Sequence, residues 1–191
     1  KATISYYSGG GKLFAVDDYN KAAMGFCDTK GIVRNFNHNL IEVKADKKIA
    51  VFEKKTKIKT GYDKDLEEDI FEEKIDKVEV PYDYLHVVPP MSAAKVVQES
   101  KLAFPGGTAR GWMKVDRFTL QSFDYKNVFG MGDAIGTPYG KTGGSARKQA
   151  PILVENLISV MEGNAPTKKY NGYTVCPLIT RRGRVMLAEF D

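Results

Sequence analysis

Histidine, cysteine and tryptophan are scarce in this chain of 191 residues, which holds 2, 2 and 1 of them. That scarcity removes several chemistries at once. His38, between Asn37 and Asn39 in an expected turn, has no ligand partner at metal spacing. His86, in the apolar run Leu85 to Val88, reads as a core histidine rather than a base. No metal site and no Ser-His-Asp set is expected. No apolar run approaches the roughly 18 residues of a membrane helix, and Lys1-Ala-Thr-Ile-Ser has no signal-peptide core. A longer protein could carry either elsewhere, and two cysteines do not identify a redox compartment, so the compartment stays open. Internal repeats and low-complexity tracts are also lacking.

What remains is an ordinary composition, 42% hydrophobic and 28% charged, in a chain long enough to bury a core. A net charge of +5 and a pI near 9.0 permit attraction to anionic lipid, nucleic acid or a small anion without establishing any of them. The charges lie in blocks. Basic Lys54-Lys55-Thr-Lys57-Ile-Lys59 precedes the mostly acidic Asp63-Lys-Asp65-Leu-Glu67-Glu68-Asp69, so the stretch from Lys54 to Lys77 reads as a solvated insertion. A noncatalytic basic module for nucleic acid or lipid requires clustered arginines with interleaved aromatics. Only Arg181-Arg182-Gly-Arg184 fits, so no nucleic-acid partner is expected.

Periodicity and caps predict an α/β architecture. A strand over Ala2 to Tyr7 leads to a helix capped by Asp17 or Asp18, running through Cys27 with Gly31 past its end. Leu40 to Lys44 and Ile49 to Glu53 flank Ala-Asp-Lys-Lys as a hairpin, and Lys77 to Val80 adds a strand. Leu85 to Val88 is expected as a buried strand stopped by Pro89-Pro90, followed by a short helix over Ala93 to Ser100. Met113 to Val115 and Val128 to Met131 complete the strand set. A boundary near Pro81 divides the chain into 1–80, with the hairpin and the charged insertion 54–77, and 81–191.

The richest segment is Asn127-Val-Phe-Gly-Met-Gly132-Asp133-Ala, an apolar strand ending in Gly-Asp. Such a strand can deliver Asp133 to sugar-like hydroxyls while Gly132 lets a cofactor approach the backbone. From spacing alone, a buried strand and turn is an equal reading. Gly136-Thr-Pro-Tyr-Gly-Lys141-Thr142-Gly143-Gly144-Ser145 follows, then Ile152, Leu153, Leu157, Val160 and Met161 at helical spacing. The free N–H groups of this helix start, with Lys141 beside them, favour a group that gains negative charge during reaction, such as a flavin being reduced. Pro151 is expected to kink the helix or mark where its regular part begins, leaving Ala146 to Ala150 as a separate turn.

Cys176 sits in Tyr173-Thr-Val-Cys176-Pro177-Leu, where the proline interrupts local pairing and could leave the sulfur exposed for nucleophilic chemistry. Taken by itself, burial among Val175, Leu178 and Ile179 is the stronger reading. Cys27 reads as structural, on a helix face near Ala22 and Ala23. Trp112, beside Gly111, reads as packing rather than as a ligand contact.

The motifs NVFGMGD, PYGKT, PTKKYNGYTVCPLIT (Pro166 to Thr180) and RVMLAEFD (Arg184 to Asp191) resemble the carboxyl-terminal part of the sulfide:quinone oxidoreductases, most closely the mitochondrial-like type. Weaker likeness at Asn39 to Asp46, Leu85 to Met91 and Gly111 to Asp116 extends the resemblance over most of the chain, apart from Lys54 to Lys77.

The resemblance implies a partial flavoprotein with two dinucleotide-binding domains, Rossmann-like and of the pyridine nucleotide-disulfide oxidoreductase superfamily. Residues 1–80 are then a remnant of the middle, NAD-like domain. Residues 81–191 are the second half of the FAD-binding domain. It also implies oxidation of sulfide through a cysteine persulfide and FAD to a quinone, by a parent peripherally bound to a membrane. Cys176 matches a redox cysteine whose partner lies upstream of this chain, so no Cys27–Cys176 disulfide is expected. Asp133, after Gly132, holds the ribityl or phosphate region of FAD. Lys141, Thr142, Gly143 and Gly144 face the pyrimidine edge of its flavin. Ala134 replaces a polar or cysteine residue often found there.

The G-x-G-x-x-G fingerprint for the cofactor pyrophosphate is missing, since Gly9-Gly10-Gly11 lacks the further glycine and reads as a strand-end loop. The chain is thus expected to be a fragment that holds FAD weakly or not at all. Related alternatives are a type II NADH dehydrogenase, against which YTVCPL argues, and a flavocytochrome sulfide dehydrogenase subunit.

Overall fold

The computed structural model describes residues 2–190, which form two compact units, 2–88 and 89–190. In the first unit, strand β1 (Ser5–Tyr7) leads through helix α1 (Asp17–Lys30) to strand β2 (Val33–Asn35), and β1 pairs with β2 in parallel. Two parallel neighbours need a crossover connection, and α1 supplies it. The helix ends on Gly31, whose φ of 65° is the left-handed cap that glycine adopts without penalty. Its N-cap is Val16 rather than an aspartate. Asp17 and Asp18 lie in the first turn, where negative charge suits the helix dipole.

Strand β3 (His38–Lys44), β4 (Ile49–Asp63) and β5 (Glu68–Pro81) form an antiparallel meander in that order. Buried Ala50, Val51 and Phe52 anchor its base, and Tyr7 stacks on Phe52 with centroids 4.5 Å apart. The charged stretch expected as a solvated insertion is exposed and continues β4 and β5 as a paired ribbon. Antiparallel register places the basic block of β4 opposite residues 71–76, which carry Glu72, Glu73 and Asp76, and diagonal contacts let Lys55 meet Glu73 at 2.8 Å and Lys59 meet Asp69 at 2.5 Å. Alternating charge therefore reads as solvated surface in sequence and as a cross-strand ladder in space. His38 packs edge-on against Tyr7, and Cys27 is a half-buried free thiol.

Leu85 to Val88 forms no strand, and His86 is exposed rather than a core histidine. The run has no neighbouring strand to bury it, and Pro89-Pro90 removes two amide donors beside it.

In the second unit the expected helix over Ala93 to Ser100 shrinks to one turn, α2 (Lys95–Gln98). Met113 to Val115 and Val128 to Met131 are irregular, joined to the chain by isolated bridges such as Met113 with Ile135 and Val115 with Ser122. Met113, Val115, Leu120 and Ile135 are nonetheless buried as one cluster, packed by Val97, Leu102, Val128, Ile152 and Leu153. The apolar pattern thus reported burial, which does not require a ladder.

Helix α3 (Gly143–Met161) runs through Pro151 as one element. Pro151 and Arg147 both lie on its exposed side, where water can take the carbonyl that the proline leaves unbonded. A hairpin, β6 (Thr174–Arg181) with β7 (Arg184–Phe190), completes the unit.

Candidate functional site

Around the start of α3 the second unit gathers most of the residues singled out by sequence. Gly132 and Asp133 lie in a 3-10 turn, Gly132–Ala134, and Gly132 has a φ of 60° that glycine tolerates. Its N–H donates to Oε1 of Gln149, 2.7 Å away on α3, which fastens the turn to the helix. Gln149 is buried, yet nothing in its sequence neighbourhood announces it except a polar residue on the apolar face of a helix. The neighbouring glycine has the steric role. A Cβ at Gly130 would lie 2.6 Å from Met113 Sδ and 2.8 Å from Ile135 Cγ2.

Thr142 caps α3. Its Oγ1 accepts from the Ser145 N–H at 3.2 Å, as N-cap threonines do. The Gly143 and Gly144 N–H groups lie ahead of the first intrahelical bonds, and nothing approaches a Cβ position on Gly143 within 4 Å. Asp133 is exposed. Lys141 is half-buried, with Nζ donating to the Ile135 carbonyl at 2.5 Å and lying 4.2 Å from the centroid of Trp112. Burial holds its pKa below the usual lysine value, opposed by the charge of Asp133. Trp112 therefore serves as a platform for Lys141.

The cysteine strand is bolted to the same helix start. Ser145 Oγ donates to Thr174 Oγ1 at 3.1 Å, and Thr174 in turn donates to the Gly172 carbonyl at 3.3 Å. Ser145 and Thr174 are both buried. A Cβ at Gly140 would lie 2.5 Å from Thr174 Cγ2, and one at Gly144 would lie 2.0 Å from Val175 Cγ1. Cys176 follows immediately, a half-buried free thiol opposite Ala188 in the hairpin. Two open grooves flank the helix start. One, of about 440 Å³, is lined by Gly144, Arg147, Lys148, Tyr173 and Val175. The other, of about 350 Å³, includes Trp112, Gly136, Tyr139 and Lys141.

The arrangement offers open helix amides, a lysine held over an indole, an exposed carboxylate and a thiol one residue beyond the strand–helix junction. Those groups suit an anionic or electron-accepting ligand. Among the described residues no cluster of three or more His, Cys, Asp or Glu could hold a metal ion.

No protein-family model matches the chain. It is 39% identical over 191 residues to the mitochondrial sulfide:quinone oxidoreductase of Mus musculus, covering all of this chain and 38% of that protein. It is also 39% identical over 190 residues to the protein of the same name in Dictyostelium discoideum, covering 37% of it. The chain thus spans under two-fifths of the length of the curated relatives it matches.

Among solved structures it is similar to a chain in the cryo-EM structure of the Tetrahymena thermophila mitochondrial ATP synthase. The TM-score is 0.68 at 23% identity, over 99% of this chain and 40% of that one. It is equally similar in fold to the sulfide:quinone oxidoreductase of Aquifex aeolicus, with a TM-score of 0.67 at 16% identity, over 98% of this chain and 45% of that one. The expected α/β class is borne out by that likeness in fold. Over its whole length the chain is similar to part of the mitochondrial sulfide:quinone oxidoreductases, and it has the fold of part of such an enzyme.

Proposed function

We propose that the chain is the carboxyl-terminal part of a flavoenzyme that oxidises sulfide and reduces a quinone, peripherally bound to a membrane. The observation that carries this reading is the junction of β6 with α3, which sets Cys176 one residue beyond Thr174 and Val175, the two residues packed on the helix start.

The residues fit FAD by their chemistry. The Gly143 and Gly144 amides, with the open flank of Gly143, can receive an electron-rich ring edge. Exposed Asp133, beside Gly132, can accept from hydroxyl groups. Lys141, held over Trp112, puts positive charge in the groove on the other flank of the helix start, and Thr142 fixes where the helix begins. FAD, when bound, supplies the two-electron acceptor and passes the electrons to the quinone.

Cys176 is one half of a disulfide whose other cysteine lies outside this chain. Hydrosulfide attacks the disulfide, one sulfur–sulfur bond breaks as another forms, and a persulfide and a thiolate result. The electron pair of the broken bond leaves on the thiolate. Cys176 keeps sulfur in this scheme and Cys27 takes no part.

The test uses the full-length protein. Anaerobic sulfide is expected to bleach the visible flavin band, and Cys176→Ser to abolish the bleaching. A flavin bleached by NADH and indifferent to sulfide overturns the reading in favour of a dehydrogenase. The 191-residue chain alone, lacking G-x-G-x-x-G, is expected to bind FAD weakly or not at all, which ultrafiltration with added FAD measures.

A further inference from the structure

Three hydroxyl groups form one directed line between the start of α3 and the strand of Cys176. Thr174 Oγ1 donates to the Gly172 carbonyl at 3.3 Å, and Ser145 Oγ donates to Thr174 Oγ1 at 3.1 Å. A hydroxyl has one proton, so in the 3.0 Å contact between Thr142 and Ser145 the threonine is the donor. Thr142 Oγ1 accepts in turn from the Ser145 N–H at 3.2 Å. Each proton of the line is spent on the next hydroxyl or on the Gly172 carbonyl.

Ser145 is fully buried and Thr174 is 7% exposed. Two hydroxyl groups at the contact of a helix with a strand gain no apolar burial over alanine and valine, and each must keep its partners. What they add is direction. An apolar contact tolerates sliding, whereas hydrogen bonds of this length hold one register. Thr174 and Cys176 lie two apart on β6, hence on one face and about 7 Å apart along the strand at the usual rise. Fixing Thr174 on α3 therefore fixes Cys176. The strand is also held just before Thr174, where buried Tyr170 donates its hydroxyl to the Tyr173 carbonyl and its N–H to the Phe118 carbonyl.

We infer that the Ser145–Thr174 hydroxyl pair positions Cys176 for its disulfide, holding the sulfur where the cysteine outside this chain reaches it. Both are positioning residues and act through the strand. The role rests on the proposed reaction, in which Cys176 is one half of a disulfide. A thiol held in place meets its partner at a high effective concentration, and one on a loosened strand at a lower one. Equilibrium with a dithiol buffer reads that concentration: the protein disulfide and the dithiol give two protein thiols and a cyclic disulfide, and the point of balance defines a potential.

The test poises the full-length protein anaerobically in mixtures of reduced and oxidised dithiothreitol and counts alkylated Cys176 by mass spectrometry. Thr174→Val keeps the branched shape and removes the hydroxyl. This variant and Ser145→Ala are each expected to shift the balance about tenfold towards the thiols, ~30 mV to less negative potential. Thr174→Ser keeps the hydroxyl, loses the methyl and is expected to stay near the wild-type balance. Asp116→Asn, which loosens a distant turn of the same unit, is expected to leave the potential unchanged. Circular dichroism confirms that each variant folds, and if Thr174→Val does not, Ser145→Ala with Thr174→Ser carries the comparison.

An unmoved potential in the hydroxyl-free variants overturns the inference. So does an equal shift in Thr174→Ser, which would assign the effect to packing, or in Asp116→Asn, which would assign it to general stability. A wild-type protein whose Cys176 forms no disulfide overturns the proposed reaction and this role together. Sulfide bleaching that depends on Cys176, with unmoved potentials, leaves the reaction standing and removes the positioning role alone.

Discussion

Val175 occupies the space that a side chain at Gly144 would need, its Cγ1 lying 2.0 Å from where a Cβ would stand. The branched residue of β6 and the bare backbone of α3 are complementary surfaces. Gly144→Ala is therefore expected to destabilise the second unit by about 1–3 kcal/mol through overpacking. Adding Val175→Ala is expected to recover part of that loss. A double-mutant cycle from urea midpoints measures the coupling, and strict additivity would mean that the two do not touch in solution.

Gln149→Leu removes the acceptor for the Gly132 N–H while keeping the volume of the side chain. The amide is then half-buried without a partner, and a loss of about 1–3 kcal/mol is expected. Exchange of the Gly132 amide proton is expected to quicken selectively. Unchanged protection of Gly132 would contradict the assignment.

Lys141 titrates between two opposed influences, burial lowering its pKa and Asp133 raising it. Asp133→Asn is expected to lower the pKa further. The folded chain binds this proton less readily than the unfolded chain does, so Lys141 contributes a stability penalty below its folded pKa. That penalty is relieved as pH rises towards the unfolded value of about 10.4. Carbon-13 NMR of reductively methylated lysines follows the titration, and an upward shift in the variant would reverse the argument.

Asp116 provides an acid-side counterpart. Burial raises its pKa, but donation to its carboxylate by the Thr119 N–H, the Thr119 hydroxyl and the Phe118 N–H outweighs this and holds it below the usual value. A depressed carboxylate contributes stability that is complete above the unfolded pKa of about 3.9 and is lost as pH falls through the folded pKa. Asp116→Asn is expected to cost about 1 kcal/mol at neutral pH and to flatten the acid limb of a stability profile. A variant with the same acid limb would show that the contribution lies elsewhere.

The loop that feeds a helix start and the Gly-Asp turn were legible in sequence because each depends on local backbone rules, whereas the Thr142 cap and the unbroken run of α3 through Pro151 were not read there. The fine assignment of the glycines was not. Gly132 carries the positive φ, whereas Gly130 is the one pressed against Met113 and Ile135, a distinction set by residues 17 and 5 positions away. Gln149 and the Ser145–Thr174 pair were invisible for the same reason, since their partners are remote in the chain. Leu85 to Val88 shows the opposite failure. A sound β pattern remained a coil because no second strand arrived to pair with it.

Strand β4 outruns β3, whose pairing stops at Lys54, so residues beyond that point are held by β5 alone. Opening from the Asp63–Glu68 turn then proceeds rung by rung without disturbing the three-stranded base. The ribbon carries its own gradient of lifetimes. Backbone protons near the turn trade with solvent first, those beside Phe52 last, and a protease shaving the tip would halt where the third strand begins.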